Sequence, residues 1–192
     1  MRFTILHCSI MLLLVCRFHS EIALPYVSNY SLVTMKQIKV GDRIPDFSLP
    51  DQDGKIVNIS DYLGNKQLVI FFYPQDGSLS CTREACYFRD LMDVFEESGA
   101  EIIGISGQSV ESHRNFARDN NLKYKLLSDS KNEVRKLFGV PSQLFGLIPG
   151  RVTYVTDRDG KVRFIFNSQT EIQRHADKAL KICLLLKKNY QT

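Results

Sequence analysis

The chain has 192 residues, of which 44% are hydrophobic and 24% charged, which suits one ordinary globular domain and is too little for two. Its 11 glycines and 6 prolines exclude a collagenous or low-complexity chain. The formal net charge is +4, but most of the excess lies in residues 1–40, and the nearly neutral remainder predicts no nucleic-acid partner.

The chain begins with a signal-like leader. Residues 1–16 join an early arginine to a largely apolar run. This run is short and interrupted for a membrane span, which needs about 20 apolar residues, and it suits the apolar region of a secretory signal. We expect the signal to cover residues 1–23 and to leave no stable membrane association once it is removed. An uncleaved anchor and a buried helix are the alternatives.

Residues 24–40 contain no acidic residue and several Ser, Thr and Tyr. This composition suits a flexible linker, and it also suits a transit peptide that removal of the signal would expose. The second interpretation predicts plastid entry by a two-part leader, and Met35 offers an alternative start. We therefore divide the chain into a targeting leader with its linker, residues 1–40, and one domain, residues 41–192.

Strands and helices alternate after the leader. Residues 55–59 alternate apolar and polar side chains, as a half-exposed strand does. Residues 67–73 and 101–106 are largely apolar runs, which are typical of central strands buried on both faces. Residues 81–97 predict one amphipathic helix, which Gly99 stops.

The second half of the domain predicts further helices and a hairpin. Ser109 can cap a helix that runs to about residue 120, and residues 131–138 predict a short helix that Gly139 ends. Residues 151–157 and 161–167 flank an Arg-Asp-Gly turn, which indicates a hairpin, and a last helix is expected over about 171–187. This order predicts an α/β fold, a three-layer sandwich with a mixed central sheet.

The most informative segment is residues 71–90, FFYPQDGSLSCTREACYFRD. Pro74 ends the central strand, because proline cannot donate to the ladder. Ser78 or Ser80 can cap the next helix, which places Cys81 in its first turn. The carboxyl ends of strands carry the sites of open α/β sheets, and a helix N-terminus favours a thiolate. The geometry predicts a reactive cysteine, with a buried and inert Cys81 as an equal alternative.

Cys86 follows Cys81 by five residues. In an intact helix their Cα atoms would lie roughly 8.6 Å apart, whereas a disulfide needs them within about 7 Å. The pair can bond only if the first turns unwind, which describes a redox switch. The spacing by itself favours the alternative, in which Cys86 packs in the apolar stripe and does not react.

Other chemistries find little support. His113 and His175 are expected as single residues on helix surfaces, so we predict no metal site and no cofactor. A C-x-x-C pair is missing, as is a nucleotide-binding loop. Cys183 is expected to pack in the last helix, and since Cys8 and Cys16 lie in the leader, the cysteines make no disulfide framework.

Several blocks match one known family in order. They are GDRIPDFSLPDQDGK, the 71–90 segment, GISGQSVESHRNFA, LLSD and PGRVTYVTDRDGKVRFIFNSQ. From Gly41 to about Leu186 the chain resembles the peroxiredoxins of the Q type, also called the bacterioferritin comigratory protein family. The resemblance implies a thioredoxin-like fold and an antioxidant, thiol-dependent peroxidase that reduces hydrogen peroxide and organic hydroperoxides.

The resemblance also implies roles for individual residues. Pro74, Ser78 and Cys81 match the family motif, with Cys81 as the peroxidatic residue, and Arg151 matches the arginine that stabilises its thiolate. Cys86 matches the position of a resolving cysteine, which would attack the sulfenic acid of Cys81 and form an intramolecular disulfide. Thioredoxin or glutaredoxin would reset this disulfide, and the protein would be a monomer.

The sequence departs from the family pattern at two places. Ser78 replaces the commoner threonine and loses a methyl group that stiffens the side chain, so we expect a slower enzyme. Leu79 and Ser80 stand where the family often has Pro-Gly, which changes the stiffness of the loop. Two other functions stay open: a peroxide-sensing redox switch or binding module with little turnover, and an inactive thioredoxin-like scaffold. Turnover with a dithiol reductant distinguishes the enzyme from both.

Overall fold

The computed structural model describes residues 37–143 and 147–190. The predicted signal, residues 1–23, and almost all of the 1–40 leader lie outside the described residues, and the division of the chain after residue 40 stays a prediction. Contacts with the domain begin before that point, because Ile38 is buried and its N–H donates to the carbonyl of Phe138.

The elements follow one another in the predicted alternation. The strands are β1 (Ser48–Pro50), β2 (Ile56–Asn58), β3 (Gln67–Phe72), β4 (Ala100–Ser106), β5 (Lys125–Ser128), β6 (Ser142–Gln143), β7 (Ile148–Pro149), β8 (Val152–Thr156) and β9 (Val162–Asn167). The helices are α1 (Leu79–Asp90), α2 (Met92–Glu97), α3 (Val110–Asp119), α4 (Glu133–Leu137) and α5 (Ile172–Asn189), with a short 3-10 helix at Ile59–Tyr62. No helix in the described part of the chain is long and apolar enough to cross a bilayer.

A mixed five-stranded sheet forms the centre, in the order β5-β4-β3-β8-β9. Strand β3 pairs in parallel with β4 and antiparallel with β8, while β8 and β9 form the predicted hairpin. Every residue of β3 is buried, as its continuous apolar run predicts. The expected α/β fold with three layers and a mixed sheet is confirmed.

Side chains of β3 alternate between two cores, because successive residues of a strand point to opposite faces. On one face Phe71 stacks on Phe88 of α1 with ring centroids 4.5 Å apart, in a core that α1, α2 and α5 cover. On the other face Phe72 packs on Phe138 at 5.0 Å, next to α4. The central strand is therefore held from both sides just before the segment that carries Cys81.

The predicted single helix over residues 81–97 is wrong in two respects. Helix α1 begins at Leu79, and it is separated from α2 at Leu91, whose ψ of 3° leaves helical geometry. The bend allows the rings of Phe88 and Phe95 to pack 5.9 Å apart in one core, both fully buried. Sequence periodicity also missed the short strands β1, β5, β6 and β7, which offer too few residues for a pattern.

Candidate active site

Cys81 lies in the first turn of α1, just beyond the carboxyl end of β3. The chain leaves the sheet at Pro74 and turns at Gly77, whose φ of 71° favours glycine. Ser78 caps the helix and accepts a hydrogen bond from the Cys81 N–H at 3.3 Å. This confirms the predicted position of Cys81 and selects Ser78 as the cap. Cys81 is only 1% exposed.

Arg151 reaches Cys81 from the neighbouring strand. Val152 lies opposite Phe72 in the β3–β8 register, which brings Arg151 to the end of β3 from which the active-site loop departs. Its Nη2 lies 3.2 Å from Cys81 Sγ and donates to Ser80 Oγ at 3.1 Å. The guanidinium is 1% exposed, so this contact is made away from water, where a charge-assisted hydrogen bond to a thiolate is strong.

Arg151 contacts the carboxyl group of Glu84 as well as the thiol of Cys81. This contact with Glu84 was not predicted from the sequence. The other terminal nitrogen of Arg151, Nη1, donates to Glu84 Oε2. Burial raises the pKa of Glu84 to about 8, although Arg151 opposes the increase. One guanidinium thus faces two groups that can carry a negative charge. A proton on Glu84 leaves the charge of Arg151 available to the sulfur.

His175 lies next to Glu84 and is fully buried. The expectation that it lies on a helix surface is therefore wrong. Its Nε2 faces the carbonyl of Ser168 at 2.9 Å, and its Nδ1 lies 2.7 Å from Thr153 Oγ1. Burial lowers the pKa of His175 to about 4, so the ring is neutral at physiological pH. Nε2 then donates to Ser168, and Nδ1 accepts from Thr153. The ring therefore adds no positive charge beside Glu84 Oε1, which is 3.7 Å away.

His113 is also buried rather than exposed, and it holds the loop that precedes Cys81. Its Nδ1 lies 2.8 Å from Asp76 Oδ2, and its Nε2 faces the Leu127 carbonyl at 3.2 Å. Tyr73 and Ser112 each donate a hydroxyl to Asp76 at 2.7 Å. Burial would raise the pKa of Asp76, but hydrogen bonds and the charge of His113 lower it overall. These contacts fix the loop between β3 and α1.

Arg135 of α4 is a second buried arginine near the site, and no sequence signal indicated it. Its Nη2 donates to the Tyr73 carbonyl at 2.9 Å and its Nη1 to the Gly150 carbonyl at 2.8 Å. Burial lowers its pKa to about 10, so it stays charged at neutral pH. Arg135 therefore ties the end of β3 to the residue before Arg151.

Cys86 and Cys81 are not joined by a disulfide in the structure. Cys86 is half-buried further along α1, where its Sγ lies 3.7 Å from Asn120 Oδ1 and 3.6 Å from Arg89 Nη1. Cys183 is buried in α5, as predicted, and burial raises the pKa of its thiol to about 12. Cys81, Cys86 and Cys183 are all free thiols.

The arrangement suits a nucleophilic sulfur. The guanidinium of Arg151 and the positive end of the α1 dipole lie where they can stabilise negative charge on Cys81. The same guanidinium can stabilise the charge that develops on a leaving oxygen when the sulfur attacks an O–O bond. Among the described residues no cluster of three His, Cys, Asp or Glu side chains could hold a metal ion. The contact between Arg151 and Cys81 makes the thiol the candidate nucleophile of the site.

Comparison with known proteins gives the same family over most of the chain. Residues 40–165 match the model of the AhpC/TSA family. A relative from the plant Suaeda salsa, named chloroplastic peroxiredoxin Q, is 47% identical over 156 residues, which are 81% of this chain and 72% of that protein.

Solved structures agree with this result. The peroxidoxin BcpB of Mycobacterium tuberculosis superposes with a TM-score of 0.73 at 39% identity, over 78% of this chain and 99% of that one. The bacterioferritin comigratory protein of Xanthomonas campestris, solved in a study of alkyl peroxide reduction, gives a TM-score of 0.67 at 27% identity, over 73% and 92% of the two chains. The predicted thioredoxin-like fold is confirmed.

Proposed function

The chain belongs to the AhpC/TSA family as a peroxiredoxin of the Q type, and we propose that Cys81 is the residue with which this thiol peroxidase reduces hydroperoxides. The observation that carries the proposal is the contact between Arg151 Nη2 and Cys81 Sγ at 3.2 Å, at a capped helix N-terminus. Pro74 and Ser78 support it by ending the strand and capping the helix. We assign Arg151 the stabilisation of the thiolate and of the departing oxygen.

The peroxidatic step is a displacement at oxygen. The Cys81 thiolate attacks the distal oxygen of the hydroperoxide, an S–O bond forms and the O–O bond breaks. The sulfur becomes a sulfenic acid, and the departing oxygen takes up a proton and leaves as an alcohol, or as water when the substrate is hydrogen peroxide. The Ser78 hydroxyl accepts from the peroxide in this proposal, while Ser80 Oγ keeps Arg151 beside the sulfur.

Cys86 completes the cycle in our proposal. Its thiolate attacks the sulfenic sulfur of Cys81, a disulfide forms, and the hydroxide that leaves takes up a proton to become water. A dithiol protein then reduces the disulfide, and a thioredoxin is the reductant that the family supports; glutaredoxin stays a second candidate. The protein is proposed to act as a monomer, since both thiols come from one chain.

A peptide map after one equivalent of hydrogen peroxide tests these assignments. We expect rapid loss of two thiols and a Cys81–Cys86 cross-linked peptide, with Cys183 still free because burial keeps it protonated. Mass spectrometry suits a chain without tryptophan. Sulfenic or sulfinic Cys81 without the cross-link would remove Cys86 as the resolving residue, and unreacted Cys81 and Cys86 would refute both assignments.

We also propose a plastid as the destination of the chain. The Suaeda salsa relative is named chloroplastic, and a plastid offers the dithiol supply that this chemistry needs. The relative favours a transit function of residues 1–40 over final secretion. A fluorescent protein fused behind these residues should co-localise with plastids in a plastid-bearing cell. Fluorescence in the medium or the secretory lumen alone would refute the proposal.

A further inference from the structure

The thiol of Cys86 lies in a defined position between Arg89 and Asn120, which we call its seat. Cys86 Sγ lies 3.7 Å from Asn120 Oδ1 and 3.6 Å from Arg89 Nη1. Asn120 follows α3, and its amide nitrogen donates to the Phe116 carbonyl at 2.9 Å. This bond fixes which end of the amide faces Cys86, so the oxygen points at the thiol.

The half of α1 that carries this seat is tied to the rest of the domain. Arg89 Nη1 donates to the Asn120 carbonyl at 2.6 Å. Tyr124, a buried residue, donates its hydroxyl to the Ala85 carbonyl at 2.9 Å, and Tyr87 donates to Asp177 of α5 at 2.7 Å. Hydrogen bonds to the Asn120 carbonyl, the Tyr124 hydroxyl and the Asp177 carboxylate therefore hold α1 from Ala85 onward.

The first turn of α1 is held differently. Its side-chain contacts run to Arg151, through Ser80 Oγ and Cys81 Sγ, and its cap is the 3.3 Å bond at Ser78. The contact with Cys81 is strongest while the sulfur carries a negative charge. Oxidation of Cys81 to a neutral sulfenic acid weakens its contact with Arg151. The hydrogen bonds that hold α1 from Ala85 onward do not involve Cys81 and stay unchanged.

We infer that Arg89 and Asn120 are positioning residues of the resolving step, so that Cys81 moves to a Cys86 that stays in its seat. The inference rests on the proposed roles of Cys81 and Cys86. Arg89 also stabilises the attacking thiolate of Cys86, since its guanidinium donates to Sγ. The S–S bond then forms as the S–O bond of Cys81 breaks, and the released hydroxide is protonated to water.

Substituting Arg89 by glutamine tests the seat. Arg89 is not a member of either hydrophobic core, so its replacement by glutamine removes no core side chain. We expect Cys81 to be oxidised by one equivalent of hydrogen peroxide at the wild-type rate, within about twofold, while the Cys81–Cys86 disulfide forms about tenfold more slowly. With excess peroxide, sulfinic Cys81 should accumulate. Quenched mixing followed by mass spectrometry separates the two steps.

Arg118→Gln is the matched control, because Arg118 is an exposed arginine paired with the acidic residue that follows it, as Arg89 is with Asp90. It should form the disulfide at the wild-type rate, and Arg89→Lys should recover part of the lost rate. A wild-type rate in Arg89→Gln, or an equal loss in Arg118→Gln, would overturn the inference. Wild-type protein that forms no Cys81–Cys86 disulfide would refute the proposed role of Cys86 instead.

Discussion

Replacing Cys81 by serine is expected to reduce hydroperoxide turnover by more than about a thousandfold. A serine hydroxyl fits the space of the thiol but stays protonated at neutral pH, so Arg151 and the helix N-terminus have no anion to stabilise. Because the side chain is buried and similar in size, the fold should be retained. Peroxide consumption with a thioredoxin reducing system measures the loss.

Cys86→Ser and Cys183→Ala separate this effect from a general need for thiols. Cys86→Ser should still consume about one equivalent of peroxide, because only the second step is lost. Cys183→Ala should keep full turnover, since that thiol is buried in α5 and burial raises its pKa to about 12. Turnover that persists in Cys81→Ser would place the peroxidatic sulfur elsewhere.

Local sequence signals were sufficient to place the nucleophile. Proline ends a strand because it lacks a donor, and serine caps a helix because its hydroxyl accepts a nearby N–H. Both effects act within a few residues, so Pro74 and Ser78 located the first turn of α1 and Cys81 in it. The break at Leu91 carries no such local signal: neither a proline nor a glycine stands there, and the side chains on both sides of it, Phe88 and Phe95, pack in one core.

The surroundings of Cys81 depend on residues distant in the chain, and periodicity does not indicate them. Only the family resemblance indicates Arg151, and no sequence signal indicates Arg135. A single polar residue in a helix is usually exposed, which predicts surface positions for His113 and His175. In the structure Asp76 and Thr153 supply buried partners for the two rings. Glu84 had a usable signal, since it follows Cys81 by three residues on one helix face.

Arg151→Met is expected to lower the second-order rate with hydrogen peroxide by about a hundredfold to a thousandfold. The substitution removes the donor 3.2 Å from Cys81 Sγ. It also removes the hydrogen-bond partner of the buried Glu84 carboxyl. Burial raises the pKa of Glu84 to about 8, so this carboxyl is mostly protonated at neutral pH, and the loss of its partner costs about 1–3 kcal/mol of folding free energy. Rapid-mixing kinetics and chemical denaturation measure the two effects separately.

Glu84→Gln in the Arg151→Met background distinguishes the two roles of the arginine. Because its pKa is raised to about 8, the Glu84 carboxyl must take up a proton on folding at neutral pH, whereas an amide need not. The double variant should therefore regain most of the lost folding free energy while its rate with peroxide stays low. Recovery of the rate would show that Arg151 acts by supporting the fold and not by stabilising charge at the sulfur.

The pH dependence of folding adds an independent check on the same buried pair. Burial raises the pKa of Glu84 to about 8, above its ordinary value, so the folded state binds the proton more tightly than the unfolded state. This contribution to stability is complete in acid and is lost as pH rises through about 8.

In Arg151→Met the opposing charge is gone, so the loss of stability should extend to higher pH. The double variant lacks the carboxyl group and should show neither trend. If the double variant kept the wild-type dependence of stability on pH, a group other than Glu84 would carry the proton. The proposal that Arg151 faces both Glu84 and Cys81 as charge partners would then be wrong.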